Sequence, residues 1–109
     1  MSWEVKYIPE ALKDISKLDG SNIILVRKAI KKVSLNPLPD YDGGYGHPLS
    51  NKRNTNLSGF LKIKLRASGI RIVYKIEKID NQMVIIIIGA KEDNEVYELA
   101  SKRVKKHDL

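Results

Sequence analysis

The chain has 109 residues, no cysteine, 42% hydrophobic and 30% charged residues, and a formal net charge of +7 at pH 7. Without cysteine there can be no disulfide, thiolate metal site or cysteine nucleophile, which fits a reducing compartment, and the length suits one compact domain over 1–109 whose core needs no disulfide or metal. The opening Met-Ser-Trp-Glu-Val-Lys has no apolar signal core, and the longest apolar run, Met83 to Ile88, is too short to span a bilayer, so the expectation is a cytoplasmic protein with no membrane partner.

Trp3, Val5 and Tyr7 alternate with Glu4 and Lys6, the period-two pattern of a half-buried strand, and Pro9 suits the first turn of a helix. Ala11, Leu12, Ile15 and Leu18 recur at helical spacing, and Asp19-Gly20 is expected to end that helix in a left-handed cap. A second helix follows, capped by Ser21 or Asn22, with a buried stripe of Ile23, Val26, Ile30 and Val33 and a stop at Asn36-Pro37. From Pro37 to about Asn56 the chain is rich in Pro, Gly, Asn and Asp, which reads as a long binding loop; His47 has two readings there, a catalytic or phosphate-binding group and, favoured between Gly46 and Pro48, an ordinary loop histidine. Phe60 to Arg66, Ile70 to Ile79 and Met83 to Ala90 read as a meander of three strands turning at Ser68-Gly69 and Asp80-Asn81. Met83 to Ile88 is apolar on both faces and belongs inside the sheet, covered by the helical pair. Val96, Leu99, Ala100 and Val104 then define a last helix over Glu92 to Lys106. The order β-α-α-β-β-β-α predicts an α+β fold, with an N-terminal strand and a helical hairpin packed on a twisted, mainly antiparallel sheet.

The charge is unevenly spread. Residues 1–50 carry seven Lys/Arg against six Asp/Glu and residues 76–109 six against seven, so these blocks cancel; residues 51–75 hold Lys52, Arg53, Lys62, Lys64, Arg66, Arg71 and Lys75 with no acid. Such a stretch points to a polyanion partner. Strand alternation puts Lys62, Lys64 and Arg66 on one face. A turn over Ala67 to Ile70 would pair Arg66 with Arg71, Lys64 with Val73 and Lys62 with Lys75, aligning five cations. Like charges placed opposite one another cost a sheet ~0.2 to 1 kcal/mol per pair, which a bound polyanion would offset. RNA carries its own nucleophile in the 2′-hydroxyl, and clustered cations can remove that proton, neutralise the transition state and protonate the leaving oxygen, because repulsion and desolvation lower a lysine pKa. Arginine remains a fixed clamp. No His/Asp/Glu group has ligand-like spacing, so neither metal nor cofactor is expected.

The run Leu61-Lys62-Ile63-Lys64-Leu65-Arg66-Ala67-Ser68-Gly69-Ile70-Arg71-Ile72-Val73-Tyr74 resembles the central hairpin of RelE-type toxins, ribosome-dependent mRNA endonucleases of the RelE/ParE superfamily. Trp3 through Leu18, the Asn36-Pro37 stop, and Ile88-Gly89 followed by Glu95-Val96-Tyr97 sit in the same order, so the resemblance covers nearly the whole chain. It implies that Lys64 is a general base, that Lys62 stabilises the transition state and that Arg71 clamps phosphate. It also implies that Arg66 and Lys52 or Arg53 contact RNA, and that Tyr97 stacks on or orients the substrate base; the residues alone equally allow a half-buried helix aromatic at Tyr97.

The chain departs from that pattern at Ala90-Lys91-Glu92-Asp93, since the best-studied branch carries arginines at the positions of Lys91 and Asp93, the first as general acid. Lys91 can donate a proton but cannot copy a bidentate grip, and Asp93 repels the substrate. Two alternatives therefore stand beside the endonuclease: a ParE-type DNA gyrase inhibitor, and a homologue that only binds antitoxin or ribosome. The implied partners are a cognate antitoxin, in a toxin–antitoxin heterotetramer, and mRNA on the ribosome with rRNA contacts.

Overall fold

A computed structural model describes residues 2–49, 57, 59–90 and 93–109. The chain runs β1 (Glu4–Tyr7), α1 (Pro9–Ser16), α2 (Gly20–Ser34), a 3-10 turn (Asp40–Asp42), β2 (His47–Pro48), β3 (Leu61–Leu65), β4 (Ile70–Glu77), β5 (Gln82–Gly89) and α3 (Asp93–Lys106). The sheet order is β1-β5-β4-β3-β2, antiparallel except where β1 lies parallel to β5. This is the expected α+β arrangement with one strand added at its edge.

Helix boundaries follow local chemistry, with one departure from expectation. Pro9 opens α1, where its missing N–H is no loss. Asp19 and Gly20 do not close α1 in a left-handed cap. Lys17 ends that helix in ordinary helical geometry, and Asp19 instead caps α2, accepting from the Asn22 backbone N–H at 2.9 Å and from the Ser21 hydroxyl at 2.9 Å. The helix begins earlier than expected, which leaves Ser21 and Asn22 inside it and Asp19 at the cap, and these bonds hold the Asp19 carboxyl below its usual value.

Val26, Ile30 and Val33 of α2 are buried, as are Ile70, Ile72, Tyr74, Met83 and the whole run from Ile85 to Ile88. Tyr74 is fully buried, and its hydroxyl donates to the carbonyl of Pro37 at 2.8 Å, pinning the segment after α2 onto the face of the sheet that Tyr74 shares with Leu61. Burial pushes the Tyr74 phenol well above its ordinary range, so it remains a donor.

The loop after α2 has more order than its composition suggests. Asp40 N–H bonds Gly46 O at 2.8 Å, Gly46 N–H bonds Leu38 O at 3.1 Å, and His47 and Pro48 pair with Lys62 and Leu61 as an edge strand. Gly46 is buried where a Cβ would run into the Tyr74 hydroxyl and lie 2.8 Å from Leu61 Cδ2. Only glycine allows this approach.

The β3–β4 hairpin is shifted in register by two residues from the expected pairing, with a turn of the same length. Arg66–Gly69 form the turn, Gly69 adopts φ +72° and its N–H bonds Leu65 O at 2.9 Å, so Leu65 pairs with Ile70, Lys64 with Arg71 and Lys62 with Val73. A positive φ at Gly69 lets the chain reverse one residue earlier than the expected Ala67–Ile70 turn. Between β4 and β5 the register shifts at Val73/Tyr74, leaving Ile86 as the extra residue.

On its β1 side, β5 outruns its neighbour: β1 pairing ends at Tyr7 with Ile85. Side chains cover the remaining edge. Asp14 of α1 accepts from the Ile88 N–H at 3.0 Å and from Arg103 of α3 at 2.6 and 3.2 Å, while Arg103 Nη1 also donates to Ile86 O at 3.1 Å. This brace ties α3 to α1 around the sheet edge, and Glu10 with Lys106 and His107 adds a second tie at 3.1 and 2.9 Å. Among the described residues no helix is long and apolar enough to cross a membrane.

Candidate active site

Strand alternation carries Lys62 and Lys64 of β3 and Arg71 and Val73 of β4 to the face away from Leu61 and Tyr74. Helix α3 packs on that face: Lys62 Nζ donates to the Tyr97 hydroxyl at 3.2 Å and lies 5.8 Å from the ring centroid, within cation–π range. Gly89, paired with Arg71 on β5, leaves room beneath Val96 of α3.

The cation set is narrower than expected. Lys64 and Arg71 stand directly opposite one another, with Lys62 two residues along the same strand. Arg66 lies in the exposed turn, and Lys75 faces Val84 of β5 rather than Lys62 and is paired with Glu77 at 2.7 Å. The five-cation alignment is thereby corrected to a cluster of three, because the turn, displaced by one residue toward the N-terminus, takes Arg66 out of the ladder and carries Lys75 past the end of β3. Lys52, Arg53 and Lys91 lie outside the described residues, as does the Asp93 side chain.

Each of the three cations is held differently. Lys64 is exposed, free to meet a substrate from solvent. Arg71 is half-buried and anchored through Nη1 to Gly69 O at 3.0 Å, which fixes its guanidinium beside the turn. Lys62 is half-buried and aimed by the Tyr97 hydroxyl. Tyr97 itself is 5% exposed, so it offers little ring surface for a base to stack on; its contact is with Lys62.

One group that the sequence favoured as an ordinary loop residue joins this face. His47 lies opposite Lys62 across β2–β3 and therefore shares the basic face, with Nδ1 3.2 Å from Asp40 Oδ2. No sequence signal marks it, since a two-residue strand has no periodicity. Among the described residues no group of three His, Asp or Glu side chains is disposed to hold a metal.

No family model matches the chain. It is 35% identical over 107 residues to a putative RelE-like toxin protein of Escherichia coli, covering 96% of this chain and 100% of that one. It is also 31% identical over 106 residues to the mRNA interferase toxin RelE of Escherichia coli K12, covering 95% and 99%. A free-state mutant of the Escherichia coli toxin RelE superposes with a TM-score of 0.73 at 28% identity, covering 95% and 99%. The same toxin in complex with an antitoxin RelBc peptide gives 0.65 at 27%, covering 92% and 95%. With near-complete coverage in sequence and the same fold in three dimensions, the chain belongs to the RelE family of toxins.

Proposed function

We propose that this protein is the toxin of a type II toxin–antitoxin system and a metal-independent endoribonuclease that cleaves mRNA on the ribosome. The observation that carries the reading is the Lys62, Lys64 and Arg71 cluster on one sheet face. Folding alone disfavours two like charges in register, and a phosphate diester would neutralise them. The curated relative named an mRNA interferase supports the same chemistry.

In this reading Lys64, the open lysine, takes the proton from the ribose 2′-hydroxyl. The oxygen attacks phosphorus, Lys62 and Arg71 neutralise the negative charge that builds on the phosphoryl oxygens, and the P–O5′ bond breaks to leave a 2′,3′-cyclic phosphate and a 5′-hydroxyl. Tyr97 acts by holding Lys62 at its hydroxyl. Arg66, exposed in the turn, and Lys52 or Arg53 meet neighbouring phosphates; family resemblance nominates Lys91 for the leaving-group proton. Lys75, paired to Glu77, contributes less.

The antitoxin partner is supported by the RelBc complex of the Escherichia coli relative. A groove of about 710 Å³ between β1 and the helical hairpin, lined by Trp3, Val5, Tyr7, Ile15 and Ile30 with Arg27 and Lys31 at its rim, suits an amphipathic acidic segment.

The test is primer extension on a translated mRNA in a purified translation system. Wild-type protein should cut at ribosome-occupied codons, and Lys64→Ala and Arg71→Ala should each slow cleavage by ~10² to 10³-fold. Absence of cleavage by folded wild-type protein overturns the reading, and inhibition of gyrase supercoiling in its place would move the chain's activity to the ParE type.

A further inference from the structure

We propose that His47, in place of the Lys91 that family resemblance nominates, supplies the proton to the departing 5′-oxygen, with Asp40 as its positioning residue; this rests on the RNA-cleaving reading above and reassigns one step within it. Cleavage removes one proton from the 2′-hydroxyl and delivers one to O5′ as the P–O5′ bond breaks. A site that separates these tasks needs a base and an acid on opposite sides of the phosphorus.

Among the described residues of this face, Lys64 serves the first task, Arg71 is a permanent cation bonded to Gly69 O, and Lys62 is bonded to Tyr97. His47 is the imidazole on the same face. It is the Cα partner of Lys62 and hence a diagonal neighbour of Lys64, a separation of ~7 to 8 Å that allows both side chains to reach one phosphate from opposite sides. The Asp40 carboxylate, 3.2 Å from Nδ1, accepts that N–H and leaves Nε2 as the nitrogen that exchanges a proton with substrate.

A surface His–Asp pair on a free loop would be an ordinary ion pair of little consequence. This one is built into the sheet. The Asp40 N–H to Gly46 O bond at 2.8 Å closes the loop that holds both partners. Gly46 is seated against Tyr74, and β2 is laddered to β3, so the backbone of His47 is fixed relative to that of Lys62. Both side chains are more than half exposed, at 59% and 52%, so Nε2 can meet a ligand. In the reaction the Nε2–H proton passes to O5′, the P–O5′ electron pair stays with that oxygen, and neutral His47 regains a proton from solvent.

The experiment compares two synthetic mRNAs on programmed ribosomes, identical except that one carries sulfur in place of the bridging 5′-oxygen at the cleaved linkage. A thiolate leaves without protonation, so loss of a general acid matters only for the oxygen substrate. His47→Gln should slow cleavage of the oxygen substrate by ~10²-fold and leave the sulfur substrate within about threefold of wild type, while Lys64→Ala should slow both. Asp40→Asn should behave like a weaker His47→Gln. The inference is overturned if His47→Gln cuts the oxygen substrate at the wild-type rate, if it loses both substrates equally, or if sulfur rescues Lys91→Gln instead. Wild-type protein that cuts neither substrate overturns the RNA-cleaving reading itself, a result distinct from these three.

Discussion

Replacing Arg103 by alanine tests whether the α1–α3 brace holds the fold around the candidate site. The side chains of Arg103 and Asp14 are 17% and 12% exposed, so the pair lies mostly out of water. Arg103→Ala removes both bonds to the Asp14 carboxylate and the bond to Ile86 O, leaving a mostly buried charge with the Ile88 N–H as its remaining partner among the described residues. Breaking one side of such a pair costs ~3 to 5 kcal/mol. At ~4 °C of melting temperature per kcal/mol for a chain near 100 residues, that is a fall of roughly 12 to 20 °C. Thermal and urea unfolding measure it directly, and the cycle through Asp14→Ala and the double variant isolates the coupling. The double variant should be less destabilised than the sum of the singles by ~1 to 3 kcal/mol. A loss below about 1 kcal/mol for Arg103→Ala, or strict additivity of the two sites, would refute the view that this pair closes the edge of β5.

Other perturbations probe separate links. Gly46→Ala should cost ~1 to 3 kcal/mol through overpacking against Tyr74 and Leu61, read as a lower urea midpoint with an unchanged slope. Tyr74→Phe leaves the buried Pro37 carbonyl without its donor and should cost ~1 to 3 kcal/mol in the same assay. Glu10 has its pKa lowered to about 2, first by its bond to His107 and then by Lys106. A carboxylate with a depressed folded-state pKa contributes stability that is complete above its ordinary value and is lost as pH falls through about 2. Between those limits the wild-type urea midpoint should therefore decline more steeply with acid than that of Glu10→Gln. Tyr97→Phe removes the acceptor for Lys62 and should slow RNA cleavage more than it lowers stability, comparing single-turnover rates with unfolding midpoints.

Much of the fold was legible because hydrophobic period and punctuation agreed. Alternation at Trp3, Val5 and Tyr7, helical spacing in Ala11–Leu18 and Val26–Val33, and the unbroken Met83–Ile88 run each correspond to an observed element, and parity alone put Lys62 and Lys64 together. Register was not legible in the same way. It depends on where the chain reverses, and Gly69 at positive φ moved the turn to Arg66–Gly69, separating Arg66 and Lys75 from the cluster. Contacts remote in sequence were the least legible: Asp14 meets Arg103, Lys62 meets Tyr97 and His47 meets Lys62 with no local pattern to announce any of them. The family resemblance singled out Tyr97 as a residue that stacks on or orients the substrate base, but neither its 5% exposure nor its bond to Lys62 was legible in the sequence.

The order of synthesis gives the position of α3 a consequence. Ribosomes make chains from the N-terminus, and α3 is the last described element to be made, yet it supplies both the hydroxyl that aims Lys62 and the arginine that closes β5. A nascent chain that has extruded its hairpin thus carries the three cations without the helix that organises them. Docking of α3, rather than closure of the hairpin, is therefore the step that completes the cation face.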